Sequence, residues 1–252
     1  MSSAQAVLAA GCELLGLPLS AETAERFALY QARLAEWSER ANLTAIPDAE
    51  TPVRHFLDSL TLLSVWTPPV GSSLIDVGTG GGFPGLPVKL MRPDLQLVLM
   101  DSRADPIHFL NALVDEMGLS GVHCVQGRAE ELARKPAFRE QFDAATGRAV
   151  AHLAVLAEMT LPFVATGGHG IWLKRPTQQS ECAAAASALS ELGASTFAAH
   201  TTPVPCSDIV NLVVVAIKDR ATPARYPRSG ARIQRDSKRW REAENSANRT
   251  PA

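Results

Sequence analysis

The stretch from Leu74 to Gly85, Leu-Ile-Asp-Val-Gly-Thr-Gly-Gly-Gly-Phe-Pro-Gly, constrains this chain more than any other. Leu74, Ile75 and Val77 read as the end of a buried strand. Gly78, Gly80, Gly81 and Gly82 then allow a tight turn and a close approach of backbone to a ligand. So many glycines cost entropy, which a turn without a ligand gives no reason to bear. The apolar segment Leu86 to Leu90 follows at once and predicts a helix whose first N–H groups face that ligand.

A glycine-rich loop is shared by sites for nicotinamide, flavin and S-adenosylmethionine, so other residues must decide. Asp76 lies inside the strand, two residues ahead of the first glycine. A second strand, Leu95 to Met100, ends in Asp101, where a carboxylate meets the ribose hydroxyls of a nucleoside. Pro84 shortens the turn, and no second glycine-rich crossing serves the other half of a dinucleotide. These features favour S-adenosylmethionine over a nicotinamide cofactor.

At 252 residues the chain suits one large α/β domain with smaller additions. We divide it into a helical layer (1–66), a cofactor domain (67–220) and a basic tail (221–252). No apolar run is long enough for a membrane span, and the N-terminus lacks a secretion signal, so a cytoplasmic protein is expected. Cys12, Cys124, Cys182 and Cys206 are widely spaced, without Cys-x-x-Cys or nearby paired histidines; reduced structural thiols and no metal are expected. From Lys218 onward, ten Lys/Arg face four Asp/Glu, so a basic tail follows an acidic body. Such a tail suits phosphate, although from Glu242 onward a solvated, disordered end is expected.

Helices are predicted over 4–16 and 20–40, the second with Ala24, Phe27, Ala28, Leu34 and Trp37 as an apolar stripe. A third, about 51–65, carries Pro52 in its first turn. Strands are expected at 72–77, 95–100, 122–126, 142–146, 170–174, 195–200 and 209–217. Helices between them are expected at about 84–91, 105–117, 128–134, 150–165 and 177–193. This alternation predicts a parallel sheet covered on both faces. The last two strands, joined by a short Pro-containing loop, predict an antiparallel hairpin at one edge. The expected architecture is a seven-stranded, Rossmann-like class I methyltransferase sheet with an N-terminal helical layer. Ligands in such sheets lie at the carboxyl ends of the strands, which here offer Gly78 to Phe83, Asp101 to Arg103, Gly127 to Glu130 and Gly147 to Ala149.

Several motifs together, Asn42-Leu43-Thr44-Ala45, His55-Phe56-Leu57-Asp58-Ser59-Leu60 and Asp76 through Gly85, resemble the small-subunit rRNA guanine-N7 methyltransferase family, RsmG or glucose-inhibited division protein B. Arg92-Pro93, Asp101-Ser102, Gly127-Arg128-Ala129-Glu130, Arg148-Ala149, Leu173-Lys174 and Tyr226-Pro227-Arg228 follow in the family's order, so the resemblance covers roughly 40–228. It implies S-adenosylmethionine as cofactor and 16S rRNA, within the 30S ribosomal subunit, as substrate. Asp76, Gly78, Gly80, Gly82, Phe83, Asp101, Ser102, Arg103, Ala129, Glu130 and Arg148 are the expected cofactor residues. The chain departs from the pattern where two basic residues usually follow the second-strand acid; here they are Asp105 and Pro106. Arg175 stands where a glycine usually follows Leu-Lys.

Guanine N7 is a free acceptor at the major-groove edge and needs no deprotonation. No strong base is therefore required, and Arg148 is expected to orient rather than activate. Asn42, Thr44, His55 and Asp58 are candidates for a base pocket; Lys174, Arg175, Tyr226 and Arg228 are candidates for RNA contact, with Phe83 or Tyr226 offering a stacking ring. A monomer is expected, since no exposed apolar stripe stands out. Three alternatives remain open at this point: a methyltransferase of another target, a nicotinamide-dependent oxidoreductase, and a S-adenosylmethionine-binding protein without catalysis.

Overall fold

The computed structural model describes residues 3–148, 152–233 and 235–236. Ala149, the expected helix start at Val150, and the tail from Ser237 onward lie outside the described residues. Seven strands form one sheet in the order β3-β2-β1-β4-β5-β7-β6. They are β1 (Ser73–Val77), β2 (Gln96–Asp101), β3 (Val122–Gln126), β4 (Phe142–Gly147), β5 (Val164–Lys174), β6 (Thr196–Pro203) and β7 (Val210–Ile217). The first five run parallel, β7 is antiparallel to β5, and β6 closes the edge antiparallel to β7. The strand order reverses between β1 and β4, which places a crevice beyond their carboxyl ends.

The centre of the sheet is buried on both faces, where its strands are mostly apolar. Leu74, Leu97, Leu99, Ile171 and Val213 enter one core with the N-terminal helices. Ile75, Val77, Met100, Trp172 and Val214 enter the other, beneath α7 (Leu153–Thr160) and α8 (Gln179–Leu192). This is the period-2 alternation of a strand, with both sets covered.

The helical layer begins with α1 (Ser3–Leu14) and α2 (Ala21–Ala41). Ser20 caps α2, its hydroxyl accepting from the Thr23 N–H at 3.1 Å, and Asn42 ends the helix in the left-handed region at φ 46°. The helix expected near 51–65 is present but is not regular. Pro52–Leu57 is a π-helix, Asp58–Leu60 (α3) is one α turn, and Thr61–Ser64 tightens to 3-10. Ser59 Oγ donates to the His55 carbonyl and Thr61 Oγ1 to the Asp58 carbonyl, both at 2.6 Å. Such back-bonds loosen the regular ladder and so help aim His55 and Asp58 inward.

The helices flanking the early strands are α4 (Gly85–Met91), α5 (Ala104–Glu116) and α6 (Ala129–Leu132). The helix expected to reach 165 stops earlier: Pro162 lies in a 3-10 turn and β5 starts at Val164, six residues before its expected start. Gly167, at φ 93°, lets β5 continue past a register shift against β4.

Candidate active site

The glycine loop is held from behind by its own strand. Asp76 is fully buried and its Oδ2 accepts from Thr79 Oγ1 and from the Gly85 N–H, both at 2.8 Å. The Gly78 and Thr79 N–H groups donate to the Met100 carbonyl at 2.8 and 3.0 Å, which ties the turn to β2. Burial pushes the Asp76 carboxyl up to about 6, against the opposing pull of those hydrogen bonds. Asp76 is thus a residue that shapes the loop and does not face the crevice. The expected role of the helix N-terminus changes for the same reason: the first N–H of α4 is taken by Asp76, and that of Leu86 by the Gly82 carbonyl.

The glycines divide into two kinds. At Gly78 and Gly80 a Cβ would meet open space, and Gly78 lines the cleft beyond. At Gly82 a Cβ would collide with the Tyr30 hydroxyl, so this position is needed for packing. Tyr30 also donates to the Gly81 carbonyl at 2.5 Å and stacks on Phe83 with centroids 5.3 Å apart. Tyr30 was absent from the expected site; the spacing of Phe27, Tyr30 and Leu34 on α2 is the signal that marks it.

Beyond the loop lies a cleft of about 150 Å³, open to solvent and lined by Gly78, Met100, Asp101, Ser102, Ala129 and Glu130 among others. Asp101 Oδ2 accepts from the Gly80 N–H and Oδ1 from the Arg103 N–H, both at 3.0 Å. A carboxylate has about four acceptor sites, so two bonds leave it able to accept from a ligand's hydroxyls. Arg103 and Arg128 extend outward, 53% and 57% exposed. Apolar walls from Val77, Met100 and Met159, with one fixed carboxylate and Gly78, match a nucleoside-bearing cofactor. Gly127, at the third strand end, lines this cleft as expected, and Met159 joins it without having been singled out in the sequence.

Beside the loop stands a second group. His55 stacks on Phe83 with centroids 4.2 Å apart, and the Arg148 guanidinium lies 4.9 Å from the same ring. Arg148 Nη2 donates to His55 Nδ1 at 2.8 Å, and Nη1 reaches Asp58 Oδ2 at 3.1 Å and the Arg54 carbonyl at 3.2 Å. Since Nδ1 accepts, Nε2 carries the proton and donates to Thr44 Oγ1 at 2.7 Å. Burial, then Arg148 and Arg54, hold the His55 ring down to about 3, so it is neutral. Asp58, 2% exposed, also meets Arg175 at 3.2 Å on its other oxygen. One carboxylate therefore joins the helical layer to the ends of β4 and β5.

Four expectations change. Phe83 is 4% exposed and packed by His55 and Tyr30, so it offers no face to a base. Lys174 is not a surface cation: its side chain is 1% exposed and its ammonium lies 2.7 Å from Glu181. Tyr226 donates to Glu191 at 2.5 Å, away from the glycine loop. Arg228 binds Glu158 and Asp236 at 2.6 Å each, which turns it from an RNA candidate into a fastening. Asn42 and Arg175 remain exposed. Among the described residues, no three His, Cys, Asp or Glu side chains gather as a metal site, and no helix is long and apolar enough to cross a membrane.

Known proteins share this fold. The fold is matched by a SAM-dependent methyltransferase from Aquifex aeolicus (TM-score 0.50, 12% identity, covering 75% of this chain and 98% of that one). A predicted O-methyltransferase from Agrobacterium tumefaciens matches at TM-score 0.52 with 20% identity, covering 66% of this chain and 83% of that one. Sequence similarity is closer to proteins named ribosomal RNA small subunit methyltransferase G. That of Lachnoclostridium phytofermentans is 41% identical over 88% of this chain and 92% of its own. That of Streptococcus thermophilus is 42% identical over 85% of this chain and 91% of its own. The model of the family described as GidB, rRNA small subunit methyltransferase G, matches residues 23–206. A glycine turn, a strand-end carboxylate and an α/β sheet closed by an antiparallel edge thus belong to a chain that is a member of the rRNA small subunit methyltransferase G family.

Proposed function

We propose that this chain transfers a methyl group to N7 of a guanine in 16S rRNA of the 30S subunit, acting as a cytoplasmic monomer. The observation that carries this reading is the state of His55, the ring stacked on the loop. It is neutral, and its lone pair is already committed to Arg148. Asp58 is paired and Asp76 is bound to its own loop. No carboxylate or ring in this cluster is poised to take a proton, and N7 is a position that needs none taken.

When bound, S-adenosylmethionine supplies an electrophilic methyl on a sulfonium. Gly78 and Gly80 would admit it, Asp101 would accept from its ribose hydroxyls, and Ala129 and Glu130 would border its adenine, with Ser102 and Arg103 at the rim. Asp76, Gly82 and Phe83 shape the loop from behind. Arg148, gripped by Asp58, His55 and the Arg54 carbonyl, orients the incoming base. Such alignment can lower a barrier by about 7–11 kcal/mol at best. Arg175 and Asn42, both exposed, border the entry and suit RNA contact, while Thr44 fixes His55. In this reading residues 1–66 roof the base pocket, 67–220 hold the cofactor, and 221–252 form the basic tail.

The test is transfer of tritium from labelled S-adenosylmethionine to 30S subunits, to naked rRNA and to protein, with the modified nucleoside identified by mass spectrometry. The expected product is 7-methylguanosine in 16S rRNA; label at another atom or in protein overturns the proposal. A second reading, another RNA target, draws on Asp105, exposed in the first turn of α5 where the family usually carries a basic residue. The same assay separates the two.

A further inference from the structure

The segment after Arg228 lies against the cofactor cleft, and we infer that Gly230 and Ile233 are part of the cofactor site, walling its adenosine half. This rests on the S-adenosylmethionine reading above. The family model ends at residue 206, short of both residues, although similarity to individual relatives continues beyond it. Their place is nonetheless fixed by the chain's own arginines. Arg139 donates to the carbonyls of Thr222 and Tyr226 at 2.7 and 3.0 Å, and Arg134 binds the Pro227 carbonyl. Arg228 follows, its backbone N–H and guanidinium both on Glu158 at 2.6–3.1 Å, the Glu158 side chain being only 4% exposed. The chain then turns into a helical segment, in which the Ile233 N–H donates to the Ser229 carbonyl at 3.0 Å.

This path delivers Ile233 into the cleft with Val77, Met100, Ala129 and Met159, where it is 4% exposed. An apolar side chain on a charged tail is buried only because it meets this wall. Gly230 sits over Glu130, where a Cβ would collide with the carboxylate Oε1. A side chain at position 230 would therefore push the Glu130 carboxylate aside. A cleft of about 150 Å³ stays open to solvent beside them. Asp101, at the end of β2, marks the ribose position, and the Gly127–Glu130 side next to Ile233 is the one left for a flat, largely apolar adenine.

Calorimetry on the full chain, with S-adenosylmethionine and with 5′-methylthioadenosine, tests this. Ile233→Asp should raise both dissociation constants by at least about tenfold, and by the same factor, because the two ligands share the adenosine half. Ile233→Leu should stay within about twofold of the unaltered chain. Gly230→Val, which displaces Glu130, should weaken both ligands as well. Arg232→Ala, at an exposed neighbour, should change nothing. Circular dichroism confirms that each variant is folded. Unchanged binding in Ile233→Asp and Gly230→Val overturns the wall, as does tighter binding, which would make the segment a plug. Failure of the unaltered chain to bind S-adenosylmethionine overturns the cofactor reading itself, a result distinguishable from the first.

Discussion

Arg148 Nη2 lies 2.8 Å from Nδ1 of His55, a residue 93 positions earlier in the chain. The contact requires a neutral ring protonated on Nε2. Nitrogen-15 imidazole shifts should therefore report that tautomer and show no titration of His55 between pH 8 and about 4, since its folded value is about 3. Titration near 6.5 would dismiss the arrangement. The linkage sign follows: the unfolded ring takes a proton below about 6.5 and the folded one does not, so this stability is complete above that pH and is lost as pH falls toward 3. Relative to His55→Gln, the unaltered chain should lose about 2 kcal/mol between pH 7 and 5 in urea unfolding.

Asp76 runs the opposite way. Its folded carboxyl sits near 6 against 3.8 unfolded, so the folded state holds the extra proton and this contribution fades as pH rises through 6. Asp76→Asn removes the buried charge. Its stability relative to the unaltered chain should rise by up to about 3 kcal/mol from pH 4 to 8. A flat difference between the two chains across that range would show that Asp76 is not the group that titrates.

The Asp58 carboxylate grips Arg148 with one oxygen and faces Arg175 with the other. A lysine at 148 keeps the charge but loses the planar fork that binds His55, Asp58 and the Arg54 carbonyl together. Arg148→Lys should lower kcat/KM for methyl transfer by about 100-fold, the scale of a small misplacement near the reacting atoms. A rate within threefold of the unaltered enzyme would remove Arg148 from the proposed role.

Lys174 and Glu181 form a pair that water hardly reaches. Removing one partner strands a buried charge, so Lys174→Met should cost about 3–5 kcal/mol. The double variant Lys174→Met with Glu181→Leu should cost less than Lys174→Met alone. RNA affinity of the folded fraction, and its salt dependence, should not change; a shallower salt slope would return Lys174 to the RNA face.

How much could be read in advance differs between strands and site. All seven strands were visible as short segments alternating with helical ones; β1, β2 and β7 are rich in Val, Leu and Ile because their two buried faces favour apolar residues. The edge hairpin followed from its short connection. The start of β5 was missed, because Gly167 and Gly168 read as a break where they in fact carry a register shift. The irregular Pro52–Leu57 helix was equally invisible, since Ser59 and Thr61 bond to carbonyls within a pattern that looks α-helical.

By itself, then, the order of residues determined the sheet, the glycine turn and the acid at the end of β2, all consequences of local periodicity and backbone freedom. Tertiary structure alone decided which charges are available. Lys174, Arg175 and Arg228 look alike as letters, yet one is buried on Glu181, one faces Asp58 at the surface, and one fastens the tail to Glu158. The physical reason is that a charge's worth depends on the water it has lost and the partner it has found, and those partners sit at sequence distances that no local pattern encodes.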